Sequence, residues 1–159
     1  MNRVLLVFLL LSISVMFSNA QKALVIKVDK LNEILNYKND TTYIINFWAT
    51  WCKPCIEELP HFLEAEKESA NKKVRFLYVS LDFKRELDTR LNPWLKNKNM
   101  TSTVYLLDEP DYNKWINSID PSWEGNIPAT LIYNFKENRR NFYPKDFERA
   151  ELRTLLGLP

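Results

Sequence analysis

Apolar residues along this chain fall into short, nearly unbroken runs, separated by longer stretches where they recur every three or four positions. The runs at 41–49 (TTYIINFWA) and 73–81 (KVRFLYVSL) are apolar on both sides of the period-2 alternation, the pattern of strands buried on two faces. Shorter runs predict a first strand over 21–28, one over 103–107 and one over 129–135. The segment 136–140 turns that last strand back into Asn141-Phe142-Tyr143. Between them, Asp29 caps a predicted helix to about residue 37 with Leu31, Ile34 and Leu35 on one face. A second helix is expected over 53–70 and a third over 84–98, carrying Leu87, Leu91, Trp94 and Leu95. One or two helical turns fall at 111–119, and Asp146 opens a last helix through about residue 156. Pro60 should kink or interrupt the second helix, and Pro93 lies within the third. Strands and helices alternate as β-α-β-α-β-α-β before a closing hairpin and helix. The expected class is therefore α/β, with a mostly parallel central sheet flanked by helices and an antiparallel hairpin at one edge.

Composition and the first residues add three things. The length of 159 residues and the 46% hydrophobic content suit a single cored domain over 21–159. The formal charge of +2, without a basic run, leaves no nucleic-acid footprint. Residues 1–20 have the three-part form of a secretory signal: basic Asn2-Arg3, an apolar run from Val4 to Phe17, and small Ser18 and Ala20 ahead of Gln21. An uncleaved N-terminal anchor is the alternative, although fourteen apolar residues are short for a span of ~20. The expected location is exported, periplasmic or extracytoplasmic.

The two cysteines, Cys52 and Cys55, lie three apart where a strand runs into a helix N-terminus. Unpaired N–H groups and the helix dipole lower a thiol pKa at such a place. The spacing closes almost no loop, so as a staple the pair would add little, and a redox couple is the better reading. Structural zinc needs four ligands, and only His61 is nearby to join two cysteines. Covalent haem attachment requires a His where Ile56 stands. A redox couple of this kind uses no cofactor beyond its own disulfide.

The segment Phe47-Trp48-Ala49-Thr50-Trp51-Cys52-Lys53-Pro54-Cys55, with Asn126-Ile127-Pro128-Ala129-Thr130 far downstream, resembles the thioredoxin superfamily. It is most similar to the extracytoplasmic TlpA/ResA/DsbE-like thiol-disulfide oxidoreductases, over about residues 40–156. The resemblance implies a thioredoxin-like fold, Cys52 as nucleophile and Cys55 as resolving thiol. It implies that Lys53 and Pro54 tune the couple, and that a cis Pro128 faces the cysteines and exposes the Ile127 backbone to an extended substrate, with Trp51 on the docking surface. The superfamily's buried Asp in the preceding strand is replaced by Asn46, which does not titrate. Glu58, three residues after Cys55 on the same helix face, takes the place of the Glu found in the ResA-like branch. A half-buried carboxyl there would have a raised pKa and shuttle a proton for the resolving thiol; an exposed one would be a solvated helix residue. Trp48 is expected in the core and His61 on the surface. The expected partners are exported proteins bearing disulfides or thiols and a membrane redox protein that restores the dithiol, with the chain itself a monomer. Two other readings stay open: a thiol oxidant or isomerase, and a non-catalytic module that binds peptides on the same scaffold.

Overall fold

In a computed structural model, residues 22–158 are described. The expected leader, its cleavage point before Gln21 and the terminal Pro159 lie outside the described residues. Six strands form one sheet: β1 (Leu24–Ile26), β2 (Thr42–Trp48), β3 (Val74–Ser80), β4 (Val104–Leu107), β5 (Ala129–Asn134) and β6 (Arg139–Tyr143). Their order is β1-β4-β3-β2-β5-β6. β1, β4, β3 and β2 run parallel, while β5 and β6 are antiparallel additions. Five α-helices accompany them: α1 (Val28–Leu35), α2 (Lys53–Glu68), α3 (Asn92–Asn97), α4 (Tyr112–Ile119) and α5 (Arg149–Leu155). This is the expected mixed, mostly parallel α/β sheet with a hairpin edge.

Side-chain alternation along β2 splits the core into two layers. Ile44 and Trp48 point into a cluster with Leu59 and Phe62 of α2, Leu95 of α3 and Leu152 of α5. Tyr43, Ile45 and Phe47 point the opposite way, to Leu31 and Leu35 of α1 and to Trp115 and Ile119 of α4. Asn46 shares the parity of Ile44 and Trp48, so its amide is delivered to the α2 side of the sheet.

Three local expectations need correction. Residues 84–98 are not one helix. A 3₁₀ turn (Lys84–Glu86) and a π-helical turn (Leu87–Leu91) precede α3, in which Pro93 occupies the first turn. A proline ring clashes with the carbonyl four residues earlier and supplies no N–H, so the regular helix can begin only around it. Asp29 does not cap α1, whose cap residue is Lys27, and instead lies in its first turn; Pro60 lies inside α2, which is helical on both sides of it. Asp146 does not open the last helix: α5 begins at Arg149 with Glu148 as its cap residue. The intervening residues are used to lay Phe147 over α2, its ring edge-on to Phe62.

Candidate active site

The loop from β2 into α2 is shaped by its own backbone. Cys52 N–H donates to the Ala49 carbonyl at 3.1 Å, closing a turn, and Cys52 becomes the N-cap of α2. In that position its sulfur accepts the Cys55 N–H at 3.3 Å. Pro54 fits because a first-turn residue has no helical N–H partner to lose. The two sulfurs are bonded, at an S–S distance of 2.00 Å. Cys52 retains slight exposure (6%) and Cys55 none, so only Cys52 is reachable from solvent. Lys53 stands in solvent beside them, 3.6 Å from Glu57 on the helix surface. Trp51 is exposed and Trp48 is buried against Trp94.

Glu58 is buried at 2% exposure. One carboxylate oxygen accepts the Asn46 Nδ2–H at 2.8 Å, and the other accepts the backbone N–H of Phe147 at 2.8 Å. Asn46 Nδ2 also lies 3.2 Å from the Thr130 hydroxyl. Among the described residues, no cation enters this cradle. Burial therefore dominates and pushes the Glu58 pKa up to about 7, against the two hydrogen bonds that lower it; Asp146 adds a smaller upward push. The Asn that stands in place of the expected acid is thus a hydrogen-bond partner of Glu58. Sequence spacing pointed to Glu58, but nothing in it signalled Phe147, whose carbonyl also sits 3.1 Å from Nδ1 of a half-buried His61. The expectation of a surface His61 is corrected accordingly: the Phe147 segment covers it.

The Ile127–Pro128 peptide is cis. Ala129 pairs with Phe47, so this peptide lies at the carboxyl end of β2, where the cysteines are, and Ile127 packs on the cluster containing both of them. The approach loop is held by the Trp123 indole N–H on the Asn126 carbonyl at 2.8 Å. Gly125 adopts φ +86°, a backbone that other residues rarely adopt.

The AhpC/TSA family matches residues 22–137. The chain belongs to that family. The thioredoxin-like protein YneN of Bacillus subtilis (strain 168) is 55% identical over 115 residues, 72% of this chain. The match spans 63% of YneN's own length. The thiol-disulfide oxidoreductase ResA of Bacillus thuringiensis subsp. konkukian (strain 97-27) is 29% identical over 72 residues, 45% of this chain and 39% of ResA. The crystal structure of a thioredoxin-related protein from Neisseria meningitidis serogroup B superposes with a TM-score of 0.63 at 19% identity, covering 75% of this chain and 84% of that one. The fold is thioredoxin-like. Among the described residues, no group of three or more His, Cys, Asp or Glu side chains is placed to hold a metal ion, and no helix is long and apolar enough to cross a membrane.

Proposed function

We propose that this protein is an exported thiol-disulfide oxidoreductase that reduces disulfides of other exported proteins through the Cys52/Cys55 couple. The observation that carries the reading is a bonded cysteine pair at a helix N-terminus with a buried, hydrogen-bonded carboxyl three residues further along the same helix. The Cys52 thiolate attacks one sulfur of the substrate disulfide. That bond breaks, and the other substrate sulfur leaves as a thiolate that takes a proton. Cys55 then gives its proton to Glu58 and attacks the Cys52 sulfur, expelling the second substrate thiolate, which Glu58 protonates. Two electrons pass to the substrate, and the Cys52–Cys55 disulfide remains. A carboxyl with a pKa near 7 suits both halves of this exchange at neutral pH. Lys53 and Pro54 tune the couple, while Trp51, Ile127 and Pro128 receive the substrate chain. No cofactor takes part, and a membrane dithiol donor resets the pair. Export is supported by the apolar run from Val4 to Phe17 followed by Ala20.

The test is reduction of a peptide disulfide by the dithiol form. Wild type should turn over, Cys52→Ser should be inactive, and Cys55→Ser should stop as a mixed disulfide on Cys52. Undiminished reduction by Cys52→Ser would remove Cys52 as the nucleophile, whereas peptide binding without reduction by wild type would leave only a peptide-binding scaffold. A measured reduction potential separates reductant from oxidant.

A further inference from the structure

Strands β2, β3 and β4 are parallel neighbours, so the residues that follow them gather at one edge of the sheet. There three large aromatic side chains stand in solvent: Trp51 after β2 (52% exposed), Phe83 after β3 (49%) and Tyr112 after β4 (45%). Between Phe83 and Tyr112 opens a groove of about 160 Å³, floored by Leu81, Leu107 and Trp115, all three buried. The Arg85 guanidinium lies 4.7 Å from the Phe83 ring centroid and steadies that wall.

A buried carboxylate joins this groove to the redox loop. Asp82 accepts the Thr50 N–H at 3.0 Å and the Thr50 hydroxyl at 2.5 Å, and it is held in turn by the Ser80 hydroxyl at 2.7 Å. Trp51 and Phe83 are each the next residue beyond this bonded pair. Cys52 is two positions on from Thr50, so Cys52 and Phe83 are at most ~18 Å apart along this path. About five residues of extended chain span that distance. Charge around the groove is uneven. Lys27 and Lys84 both pair with Asp108 and the Arg85 cation lies on the Phe83 wall, whereas at the Tyr112 wall Glu109 and Asp111 have no ion-pair partner among the described residues.

We propose that this groove is a second substrate subsite: it takes an apolar side chain of the substrate polypeptide about five residues from the attacked cysteine, with a basic neighbour facing Glu109 and Asp111. This rests on the oxidoreductase reading and names the polypeptide that reading would select. The occupant is a polypeptide because the groove is continuous with the redox loop through Thr50 and Asp82, and lies one extended segment from the reacting sulfur. Burying one apolar side chain in such a groove is worth about ten- to a hundredfold in affinity.

The test uses the full chain in its dithiol form and two cysteine peptides, each activated as a mixed disulfide with nitrothiobenzoate. One carries Leu-Lys five residues from the cysteine on either side, the other Ser-Ser at the same places. Wild type should reduce the Leu-Lys peptide at least tenfold faster at low peptide concentration. In the double variant Phe83→Ser/Tyr112→Ser that ratio should fall to about one. A ratio reads the subsite independently of how much active protein is present. Should that variant not fold, Glu109→Lys/Asp111→Lys is read instead with a third peptide carrying Leu-Glu at the same places, and it should turn the preference from Leu-Lys to Leu-Glu. Equal rates for both peptides in wild type, or an unchanged ratio or preference in the variant read, overturns the subsite. Reduction of dithiobisnitrobenzoate by wild type is run beside them. If that fails, the oxidoreductase reading falls, and the subsite is judged by fluorescence titration with the peptides carrying Ser for Cys. Tighter binding of Leu-Lys by wild type, lost in the variant, sustains it; equal binding overturns it.

Discussion

The two faces of the sheet are built from the same strands and used differently. On the face toward α1 and α4, Phe47 meets Trp123 at 4.7 Å, Trp115 meets Trp123 edge-on at 5.4 Å, and Trp123 meets Phe142 at 5.4 Å. Such a ring cluster contributes stability through buried area and edge-to-face contacts. On the face toward α2, the same strand contributes Asn46 between Ile44 and Trp48. An amide, a carboxyl and a hydroxyl occupy volume that apolar atoms could have filled. Burying a carboxyl without a cation is unfavourable, and here the burial pushes its pKa toward neutrality. One face therefore supplies stability, and the other lodges a buried carboxyl on the cysteine helix itself.

Variants on each face test that division. The largest effect is expected for Trp115→Ala. It should cost about 3–5 kcal/mol in denaturant unfolding, while the thiol reactivity of the folded fraction keeps its pH profile. A changed profile would mean that the faces are not independent.

Glu58→Gln comes next. An acid whose pKa is raised on folding holds its proton more tightly in the folded chain. Its contribution is full below the ordinary value of 4.5 and is lost as pH climbs through about 7. Wild-type oxidised protein should therefore lose about 3 kcal/mol across that window. The Gln variant should be flatter, and the more stable of the two at pH 8. It should also resolve the mixed disulfide more slowly, with an altered pH dependence of alkylation between pH 5 and 10; Glu57→Gln, on the exposed side, should not. Urea titrations at pH 5 and 8 and alkylation rates check both parts. Superimposable curves for wild type and Glu58→Gln would reduce the carboxyl to filler.

Asn46→Leu should cost about 1–3 kcal/mol, because it strands the carboxyl oxygen that the amide satisfied. It should also move the carboxyl's titration further up, since the Asn46 bond lowers it. A proteolysis midpoint and the pH profile of disulfide exchange measure the two effects. Lys53→Ala is the smallest: its ion pair with Glu57 is solvent-exposed, so the denaturation midpoint should stay where it is. In the reduced protein, Cys52 should label before Cys55 on brief alkylation, as peptide mapping will show.

The sequence determined what local patterning and spacing can determine. The apolar runs placed five of the six strands to within a few residues and returned the sixth as a hairpin, and the helical periodicity placed α1, α2 and α4. The Cys52/Cys55 spacing at a strand–helix junction marked the site, and three-residue spacing put Glu58 on the face of Cys55. These are properties of neighbouring residues, carried by periods of 2 and 3.6. What only the tertiary structure decided involves partners distant in sequence. Phe147 is 89 positions from the carboxyl it caps, Asp82 is 32 from the Thr50 it holds, and Asn46 reaches Glu58 because strand parity and helix docking agree. A backbone N–H has no sequence signature, and a carboxyl becomes buried only when a segment such as 144–148 is laid across it. The shift of the Glu58 pKa therefore follows from desolvation, which no single stretch of the chain encodes.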